Sequence, residues 1–300
     1  AGCDALLFRV FDRNGVALTP VRVASSQPVF SYATPAVGMA EDGSFVATWQ
    51  VVLPASNRSY VVARRFDALG RPRGREFRVQ ADASLQQFPP DIAVAPDGSF
   101  GIIWTAQRTS SPGSSSTVAV RFYDRDGRPL GAALNVLSGA GQFFAPRIAA
   151  SRDARFAAVW NASSTDLTVI QGQRFSTRGA PVGGTVAIDR GVEHLKLDLN
   201  VAFSVDGTRI AVSWTDYQAD PTTNSSMNPI ASSATSGAKG LQPPNADPLG
   251  VVAQVFNARF RPIAPPFRVN TFTPGGQWLP SIAAAREGSW LVAWESGGNQ

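Results

Sequence analysis

Five tryptophans each end the same short phrase, and this repetition constrains the fold more than any other feature of the sequence. The phrases read D-G-S-F-V-A-T-W, D-G-S-F-G-I-I-W, D-A-R-F-A-A-V-W, D-G-T-R-I-A-V-S-W and E-G-S-W-L-V-A-W. Their tryptophans, spaced by 55, 56, 54 and 80 residues, are Trp49, Trp104, Trp160, Trp214 and Trp294. Repeats of about this length with four strands in each unit are typical of β-propellers and related arrays. The sequence therefore predicts an all-β repeat protein.

The second unit indicates where its four strands lie. An apolar segment at 90–95 predicts an inner strand, and Asp97-Gly98 predicts a tight turn because both residues tolerate positive φ. A second strand follows at 99–104, then a polar loop at 109–116, a third strand at 118–123 and a short fourth strand at 133–137. Each unit is thus expected to form a four-stranded antiparallel sheet.

Small residues recur at one position of the inner strand, where larger apolar residues would have a higher strand propensity. They are Gly38, Ala93, Ala149, Ala202 and Ala283. Strands that converge on an axis have little room for bulk, whereas sheets that diverge outward need volume between them. We expect the five tryptophans to fill that space, each burying roughly 200 Å² between neighbouring sheets.

The two ends of the chain complement each other. Residues 5–23 match third and fourth strands, whereas 280–297 match first and second strands, so together they make one composite sheet. This predicts one domain over 1–300, a five-bladed propeller closed by its termini, which removes free sheet edges. The alternative is an open piece of a longer array. The repeats lie at about 5–50, 60–105, 117–161, 168–215 and 250–297.

Three motifs follow one another in the repeat, most clearly at 65–104. They are R-F-D-x-x-G-x-P-x-G, Q-x-x-P-x-I-A and D-G-S-F-x-x-x-W. This order resembles a tandem repeat of bacterial secreted and surface proteins, and the predicted blade number is similar to that of five-bladed tachylectin-type propellers. The resemblance implies extracellular or envelope placement and a recognition or scaffold role. A fold by itself does not carry a function.

Composition and charge exclude several classes of protein. The net charge is +5, but the basic residues are dispersed and lack interleaved aromatic tracts, so no nucleic-acid partner is expected. The sequence contains no apolar run of 18 residues, so no transmembrane segment is predicted. Ala1-Gly2-Cys3 matches the end of a lipoprotein signal, making Cys3 a candidate lipidation site; the alternative is an ordinary chain start.

One set of loops, between each fourth strand and the next inner strand, places glutamine or polar residues beside aromatic rings. Such pairs often hold sugars, although each glutamine could equally tie its loop to a neighbouring sheet. The fourth loop departs from the pattern and contains the single histidine. The candidate ligand-binding residues are Tyr32, Gln87, Phe88, Gln142, Phe143, Glu193, His194, Asp198, Gln277 and Trp278.

An insertion at 218–250 stretches the last interval between tryptophans. It is rich in Ser, Asn, Pro, Ala and Thr, a composition that cannot form a core of its own. Its one apolar island supplies the candidate partner-binding residues Met227, Pro229 and Ile230. Either a protein partner orders this segment, or it is ordinary loop variation.

A propeller glycosidase places its catalytic carboxylates at the starts of the inner strands, so a catalytic role predicts acidic residues at those positions. These positions are Ala36, Asp91, Arg147, Asn200 and Ser281, so Asp91 qualifies directly and Asp198 is a second candidate from the adjoining loop. No nucleophile, nucleotide or metal motif occurs, and no cofactor is expected. The sequence favours a non-catalytic recognition or scaffold module, secreted, periplasmic or at the cell surface. A multivalent lectin is second and a glycoside hydrolase third.

Overall fold

The protein is an all-β molecule. The computed structural model describes residues 5–26, 34–53, 58–80, 85–110, 113–139, 142–163, 168–189, 194–218, 249–271 and 275–297, and all regular elements within these ranges are strands. Among the described residues no helix is long and apolar enough to cross a membrane.

The strands follow the repeat. They are β1 (Leu7–Phe8), β2 (Arg22–Val23), β3 (Ala36–Met39), β4 (Phe45–Leu53), β5 (Arg58–Phe66), β6 (Phe77–Arg78), β7 (Gln86–Gln87), β8 (Asp91–Val94), β9 (Phe100–Ser110), β10 (Gly113–Tyr123), β11 (Leu134–Gly139), β12 (Gln142–Ala150), β13 (Phe156–Ser163), β14 (Thr168–Phe175), β15 (Pro181–Asp189), β16 (His194–Phe203), β17 (Arg209–Gln218), β18 (Leu249–Asn257), β19 (Phe267–Arg268), β20 (Gln277–Ala284) and β21 (Trp290–Ser296).

These strands form antiparallel sheets in sequence order. Sheet A is β3-β4-β5-β6, sheet C is β12-β13-β14-β15 and sheet D is β16-β17-β18-β19, each four-stranded. In sheet B the order is β11-β10-β9, with β7 and β8 both pairing with β9, so its inner strand is interrupted. Sheet E contains β20 and β21, and β1 and β2 form a separate N-terminal hairpin. The prediction of four-stranded antiparallel units is confirmed for the repeats that form complete sheets.

Turn chemistry explains the regular spacing of the strands. The Asp97 carboxylate accepts a 2.9 Å hydrogen bond from the Ser99 amide, while Gly98 adopts a φ of +87° between them. An acceptor side chain followed by a glycine in the left-handed region lets a tight turn connect two antiparallel strands without strain. A second recurring turn follows the third strand of each repeat and places Gly15, Gly70, Gly127 and Gly179 in the left-handed region. In its fifth copy Phe260 takes that position, with a φ of +56°, and its buried ring packs against Phe256.

The tryptophans fill the space between sheets, as their spacing predicts. Trp160 is fully buried in a cluster that joins Val118, Val120 and Phe122 of sheet B to Phe156 of sheet C. Trp104 likewise lies in a cluster with Val61 of sheet A. Each of these rings therefore packs against the sheet that precedes its own.

Close approach of the inner strands explains their small residues. A Cβ added at Gly38 would lie 2.7 Å from the Cγ2 atom of Val94, so β3 and β8 leave no room for a side chain there. The inner strands β3, β8, β12, β16 and β20 contact one another in that order. Side chains at equivalent positions of consecutive inner strands are therefore neighbours.

The ends of the array are not joined in the described part of the chain. There β21 pairs with β20 alone, and the N-terminal hairpin pairs with neither. Leu291 is 70% exposed and Trp294 is 38% exposed, whereas the other four repeat tryptophans are buried. The five-bladed count and the closure of the ring therefore stay predictions.

Three segments predicted as loops are strands. Residues 142–146, 194–198 and 277–280 form the first parts of β12, β16 and β20. The predicted polar loop at 109–116 also largely continues β9 and β10, which pair as far as Gly113 and Ser110. Residues 109–116 lack the apolar alternation by which a strand is recognised in a sequence.

Candidate active site at the inner strands

The inner strands share an irregularity at one repeat position. The pairing register shifts between Phe144 and Arg147 in β12, between Leu197 and Asn200 in β16, and between Trp278 and Ser281 in β20. In sheet B the gap between β7 and β8 falls at the same place. A bulge releases residues from the ladder and redirects their side chains, which is why bulges are frequent next to active sites.

Asp91 is the first residue of β8 and is half-buried. Its carboxylate accepts a 2.9 Å hydrogen bond from the backbone amide of Ile148, which lies on β12 of the next sheet. Burial raises the pKa of the Asp91 carboxyl, and the nearby Arg147 guanidinium opposes part of that rise. Asp91 is thus a carboxyl that is held by the neighbouring sheet and retains its proton to a higher pH than an exposed aspartate.

Asp198 lies inside the bulge of β16 and adopts a left-handed φ of +51°, which aspartate tolerates better than most residues. Its carboxylate accepts a 3.1 Å hydrogen bond from the Thr215 hydroxyl of the adjacent strand. Burial raises its pKa, while the Thr215 hydroxyl, the backbone amide of Leu279 and the charge of Arg147 oppose the rise. A second carboxyl therefore has the same perturbation from the same cause.

Arg147 connects the two aspartates electrostatically. It lies on β12, between the inner strands that carry Asp91 and Asp198, and its positive charge acts on both carboxyls. A buried carboxyl with a raised pKa can act as a general acid, and a carboxylate beside a cation can act as a base or nucleophile.

Sequence reasoning named Asp91 directly and Asp198 as a second candidate, but it favoured a non-catalytic module. What it missed is Arg147 between them and the bulge that brings a residue two positions before the inner-strand start into the site. A signal was present: the aligned inner-strand starts in sheets B, C and D are Asp91, Arg147 and Asn200, whereas the first and fifth copies carry Ala36 and Ser281. Charge concentrated in the middle copies breaks the repeat, and such departures mark functional sites.

Two of the predicted ligand-binding glutamines have intramolecular partners. The Gln277 side chain accepts a 2.8 Å bond from the indole nitrogen of Trp294 and donates to the Ser296 hydroxyl. The Gln87 side chain accepts a 2.9 Å bond from the amide of Val61 in sheet A. Both glutamines are buried and their side chains hydrogen-bond to other strands, which is the structural role that the sequence left open beside ligand binding.

The other described residues of this set lie in or beside sheets B, C, D and E. Phe88 and Trp278 are half-buried, and the Phe88 amide bonds to the Thr105 carbonyl. Backbone pairing places Gln142 opposite Ser163, Phe143 opposite Ala162 and His194 opposite Gln218. Outside the described residues lie Cys3, Tyr32, Glu193, Met227, Pro229, Ile230 and most of the insertion 218–250. Among the residues that the structure describes, no cluster of histidine, cysteine and carboxylate side chains could hold a metal ion.

Comparison with known proteins finds similarity in structure. No protein-family model and no curated protein matches the sequence. An α-L-arabinanase of Penicillium chrysogenum in complex with arabinobiose superposes with a TM-score of 0.57 at 12% identity, over 90% of this chain and 77% of that one. The GH93 α-L-arabinofuranosidase of Fusarium graminearum, also in complex with arabinobiose, has a TM-score of 0.55 at 10% identity, over 97% and 79%.

A third solved structure is a protein of unknown function from Dyadobacter fermentans, with a TM-score of 0.54 at 12% identity, over 98% of this chain and 84% of that one. These similarities show a β-propeller fold for the chain. They do not show the specific secreted repeat family, nor the tachylectin-type likeness, that the sequence motifs indicate.

The prediction of a non-catalytic scaffold is wrong. The fold is shared with two glycoside hydrolases, and the comparisons do not favour the lectin alternative over a hydrolase. Asp91 and Asp198, the two carboxylates that the sequence offers, are both buried and both lie within the influence of Arg147.

Proposed function

We propose that this chain is a glycoside hydrolase whose reaction uses Asp91 and Asp198. The observation that carries the proposal is two carboxyls with raised pKa values, from β8 and β16, around one arginine of the inner strand between them. Most glycosidases use one carboxyl to protonate the leaving oxygen and a second carboxylate to attack the sugar or activate water. Both roles are available from this pair.

The surroundings of the pair fit the two roles. Burial favours the protonated form of each carboxyl, whereas the positive charge of Arg147 favours the ionised form. Arg147 is therefore a positioning and charge-balancing residue rather than a proton donor.

The substrate class is proposed from the structural neighbours. Two of them are complexes with arabinobiose, so α-L-arabinosides are the first substrates to test. A propeller of this kind makes a glycan the expected small-molecule partner. The identities of 10% and 12% leave the sugar itself to experiment.

The test is hydrolysis of a panel of 4-nitrophenyl glycosides and arabino-oligosaccharides by the wild type and by Asp91→Asn and Asp198→Asn. On arabino-oligosaccharides, whose leaving group needs a proton, both variants should lose at least a hundredfold in kcat/KM, since general acid–base catalysis contributes about 10² to 10⁴. Asp126→Asn is the matched control, because Asp126 is exposed and its nearest cation, Arg128, lies 3.8 Å away. Unchanged hydrolysis by either site variant would refute the proposal, as would a wild type inactive on the whole panel.

The same variants assign the two roles. The acid variant should retain activity on 4-nitrophenyl glycosides, whose leaving group needs no proton, and lose activity on oligosaccharides. The variant of the nucleophile or base should lose both and be rescued by azide. Loss of both activities in both variants without rescue would contradict a division of labour between the aspartates.

We also propose that the ring closes through a composite fifth blade. Repeat alignment places Leu7 at the position of Val62, which pairs with Trp49, so Leu7 would lie opposite Trp294. The N-terminal hairpin already packs against sheet A, with the Phe8 ring edge-on to Phe45 and tilted against Phe66. Leu7 is 56% exposed, which supports an unfilled pairing position on β1.

A disulfide tests this closure. Cysteines replacing Phe8 and Ala293, aligned with the cross-strand pair Ala63 and Thr48, should oxidise within one chain when Cys3 is replaced by serine. A compact oxidised monomer on a non-reducing gel is expected. Intermolecular dimers, or free thiols after oxidation, would refute closure.

A secreted, periplasmic or cell-surface location is proposed on the repeat resemblance and on Cys3 as a lipidation site. Cell fractionation with labelled palmitate tests it: label lost in Cys3→Ser supports a lipid anchor, and a wholly cytoplasmic protein contradicts the location.

Contact of the insertion 218–250 with an envelope protein is tested by its deletion, which should abolish a specific pull-down.

A further inference from the structure

Charge is distributed unevenly over the turns at the end of the molecule where the inner strands finish. In sheets C and D these turns contain six arginines and two aspartates, a net charge of +4. In sheets A and B the equivalent turns contain three arginines and six carboxylates, a net charge of −3. The turns are 151–155, 176–180, 204–209 and 257–261 in sheets C and D, and 40–44, 67–71, 95–99 and 124–128 in sheets A and B. Positive charge is therefore concentrated on one side of this end.

A cleft lies between the turns of sheets C and D. Its lining includes Arg155 from sheet C and both Arg259 and Arg261 from sheet D, and all three arginines are exposed to solvent. The volume of the cleft is about 350 Å³. One water molecule occupies about 30 Å³ in the liquid, so the cleft can accept a group much larger than a water.

Hydrogen bonds fix the turn that carries two of these arginines. The Asn257 side-chain oxygen accepts bonds from the backbone amides of Arg259 and Arg261, at 2.9 Å and 3.1 Å. The guanidinium of Arg174 in sheet C donates a 3.0 Å bond to the Ala258 carbonyl. A ligand that binds here therefore meets a backbone that is already ordered, which lowers the cost of binding.

The turns beside the cleft have lost the negative charge that other copies of the repeat carry. In three copies the first residue of this turn is Asp12, Asp67 or Asp124, and each carboxylate accepts the same two amide bonds as Asn257 does. Asn257 provides the acceptor without the charge. In sheet C the equivalent residue is Ser176, whose hydroxyl accepts one amide bond at 3.1 Å. Both turns thus retain their hydrogen bonds and lack the carboxylate.

The two carboxylates near the cleft are engaged within their own turns. Asp153 forms an ion pair with Arg155. The Asp206 carboxylate, which lines the cleft, accepts a 2.5 Å bond from the Ser204 hydroxyl and a 3.0 Å bond from the Thr208 amide. Both negative charges remain in place, but neither carboxylate forms an ion pair with the arginines of sheet D that line the cleft.

The positive charge of those arginines is not compensated by the protein. Within the described part of the chain, the guanidinium groups of Arg259 and Arg261 make no hydrogen bond or ion pair. Burial, and after it the like charges of Arg259 and Arg155, lowers the pKa of the Arg174 guanidinium. An anion bound among these side chains would relieve the repulsion between them.

We propose that this cleft binds a phosphate group, with Arg259 and Arg261 as donors and Arg155 as a third positive charge. A phosphate monoester carries a charge of about −1.5 to −2 at pH 7 and offers three acceptor oxygens, which guanidinium groups bind in pairs. The net charge of the surrounding turns matches such a group better than a single carboxylate. The phosphate can be free or can belong to a phosphorylated sugar, and both present the same chemistry.

The site does not depend on the proposed hydrolase activity. Asp91 begins its inner strand and Asp198 lies in the first half of its own, whereas the cleft is formed by turns that follow the inner strands. The two sites therefore lie at opposite ends of the inner strands and share no residue.

Titration calorimetry at low ionic strength with glucose 6-phosphate, glucose, glucuronate and inorganic phosphate tests the proposal. Glucose 6-phosphate should bind and glucose should not, and added sodium chloride should weaken binding because it screens exposed charges. Binding should shift the backbone amide NMR signals of Gly207 and Arg259, which line the cleft. Inorganic phosphate bound as tightly would identify free phosphate as sufficient, whereas weaker binding would assign part of the affinity to the sugar.

Three variants with the same change in net charge test the cleft. Arg259→Gln and Arg261→Gln each remove a guanidinium and should weaken glucose 6-phosphate binding about tenfold. Asn257→Asp keeps the acceptor of the turn and restores the charge that other copies carry, so it should weaken binding about threefold or more at an unchanged melting temperature. Arg128→Gln is the matched control: Arg128 occupies the position of Arg261 in the equivalent turn of sheet B and does not line the cleft.

The control should leave affinity within about twofold of the wild type. No binding of either phosphate compound would overturn the proposal, and so would equal binding of glucose and glucose 6-phosphate. Equal losses in Arg128→Gln and Arg261→Gln would reduce the effect to net charge and also overturn it. Glucuronate bound as tightly as glucose 6-phosphate would overturn the assignment to a phosphate, and NMR shifts confined to other parts of the chain would overturn the assignment to this cleft.

Discussion

Removal of the Trp160 ring is the most direct test of how the sheets are held together. Trp160 is fully buried between sheets B and C, and its indole N–H donates a 3.2 Å bond to Gln171. A buried tryptophan removes roughly 200 Å² from water, worth about 5 kcal/mol at ~25 cal/mol per Å². Alanine retains a small part of this, so Trp160→Ala should cost about 4 kcal/mol, within the observed range for such truncations.

Guanidinium unfolding followed by far-ultraviolet circular dichroism measures this cost. At about 2–4 °C per kcal/mol, the melting temperature should fall by roughly 10 °C. Trp160→Phe provides the internal scale: it retains most of the apolar volume and loses the hydrogen bond, so it should cost about 1–2 kcal/mol. A cost below 1 kcal/mol for Trp160→Ala would refute the argument that these rings pack the interfaces between sheets.

Three further predictions follow from named contacts. Gly179→Ala should destabilise the protein more than Gly15→Ala: both glycines have a φ of +78°, but an added Cβ strikes the Phe122 ring only at Gly179, and equal melting temperatures would contradict this. The Asp206 carboxylate accepts bonds from Ser204 and Thr208 that lower its pKa to about 2. The melting temperature of the wild type should therefore exceed that of Asp206→Asn by its full amount above pH 4, and the difference should disappear as pH falls to 2. A difference that is constant with pH would refute this prediction. If the ring closes as proposed, Trp294→Ala should lower the free energy of unfolding nearly as much as Trp160→Ala does. If the array stays open and Trp294 remains 38% exposed, the loss should be about 60% as large.

Much of the fold could be predicted because its main determinants are local and repeated. The tryptophan phrase, the Asp-Gly turns and the small inner residues each have one physical reason, and they agree with one another. The structure places Trp49, Trp104, Trp160 and Trp214 in the same buried role. A repeated pattern is in effect measured several times in one sequence, which makes it robust to a single irregular copy such as Phe260.

The inner-strand bulges could not be predicted. Residues 142–146 and 277–280 look like loops because proline interrupts their apolar pattern, and 194–198 is assigned to the same loops by its repeat position although polar and apolar residues alternate there. Residues 142–144, 194–197 and 277–278 nevertheless pair with the second strands of their sheets. Their partners are specified by the sheet already formed and not by their own composition. The left-handed φ of Asp198 belongs to such a bulge, and no turn motif precedes it in the sequence.

The candidate site was misjudged for the same reason. Asp91 and Asp198 lie in different repeats and at different repeat positions, so alignment of the copies separates them. Contact between consecutive inner strands, together with a two-residue bulge, brings both within the field of Arg147. Long-range electrostatics of this kind depends on strand order and register, which the spacing of repeats does not contain.

Both aspartates accept hydrogen bonds in the fold, and this explains why their chemistry can be separated from its stability. The Asp91 carboxylate accepts the Ile148 amide of the next sheet, and the Asp198 carboxylate accepts the Thr215 hydroxyl of its own sheet. Asparagine retains an oxygen for these bonds but can neither donate the acidic proton nor carry the negative charge. Alanine removes the acceptor as well and leaves a buried donor unpaired, at about 1–3 kcal/mol. A purely structural aspartate would therefore tolerate asparagine, whereas a catalytic one would not.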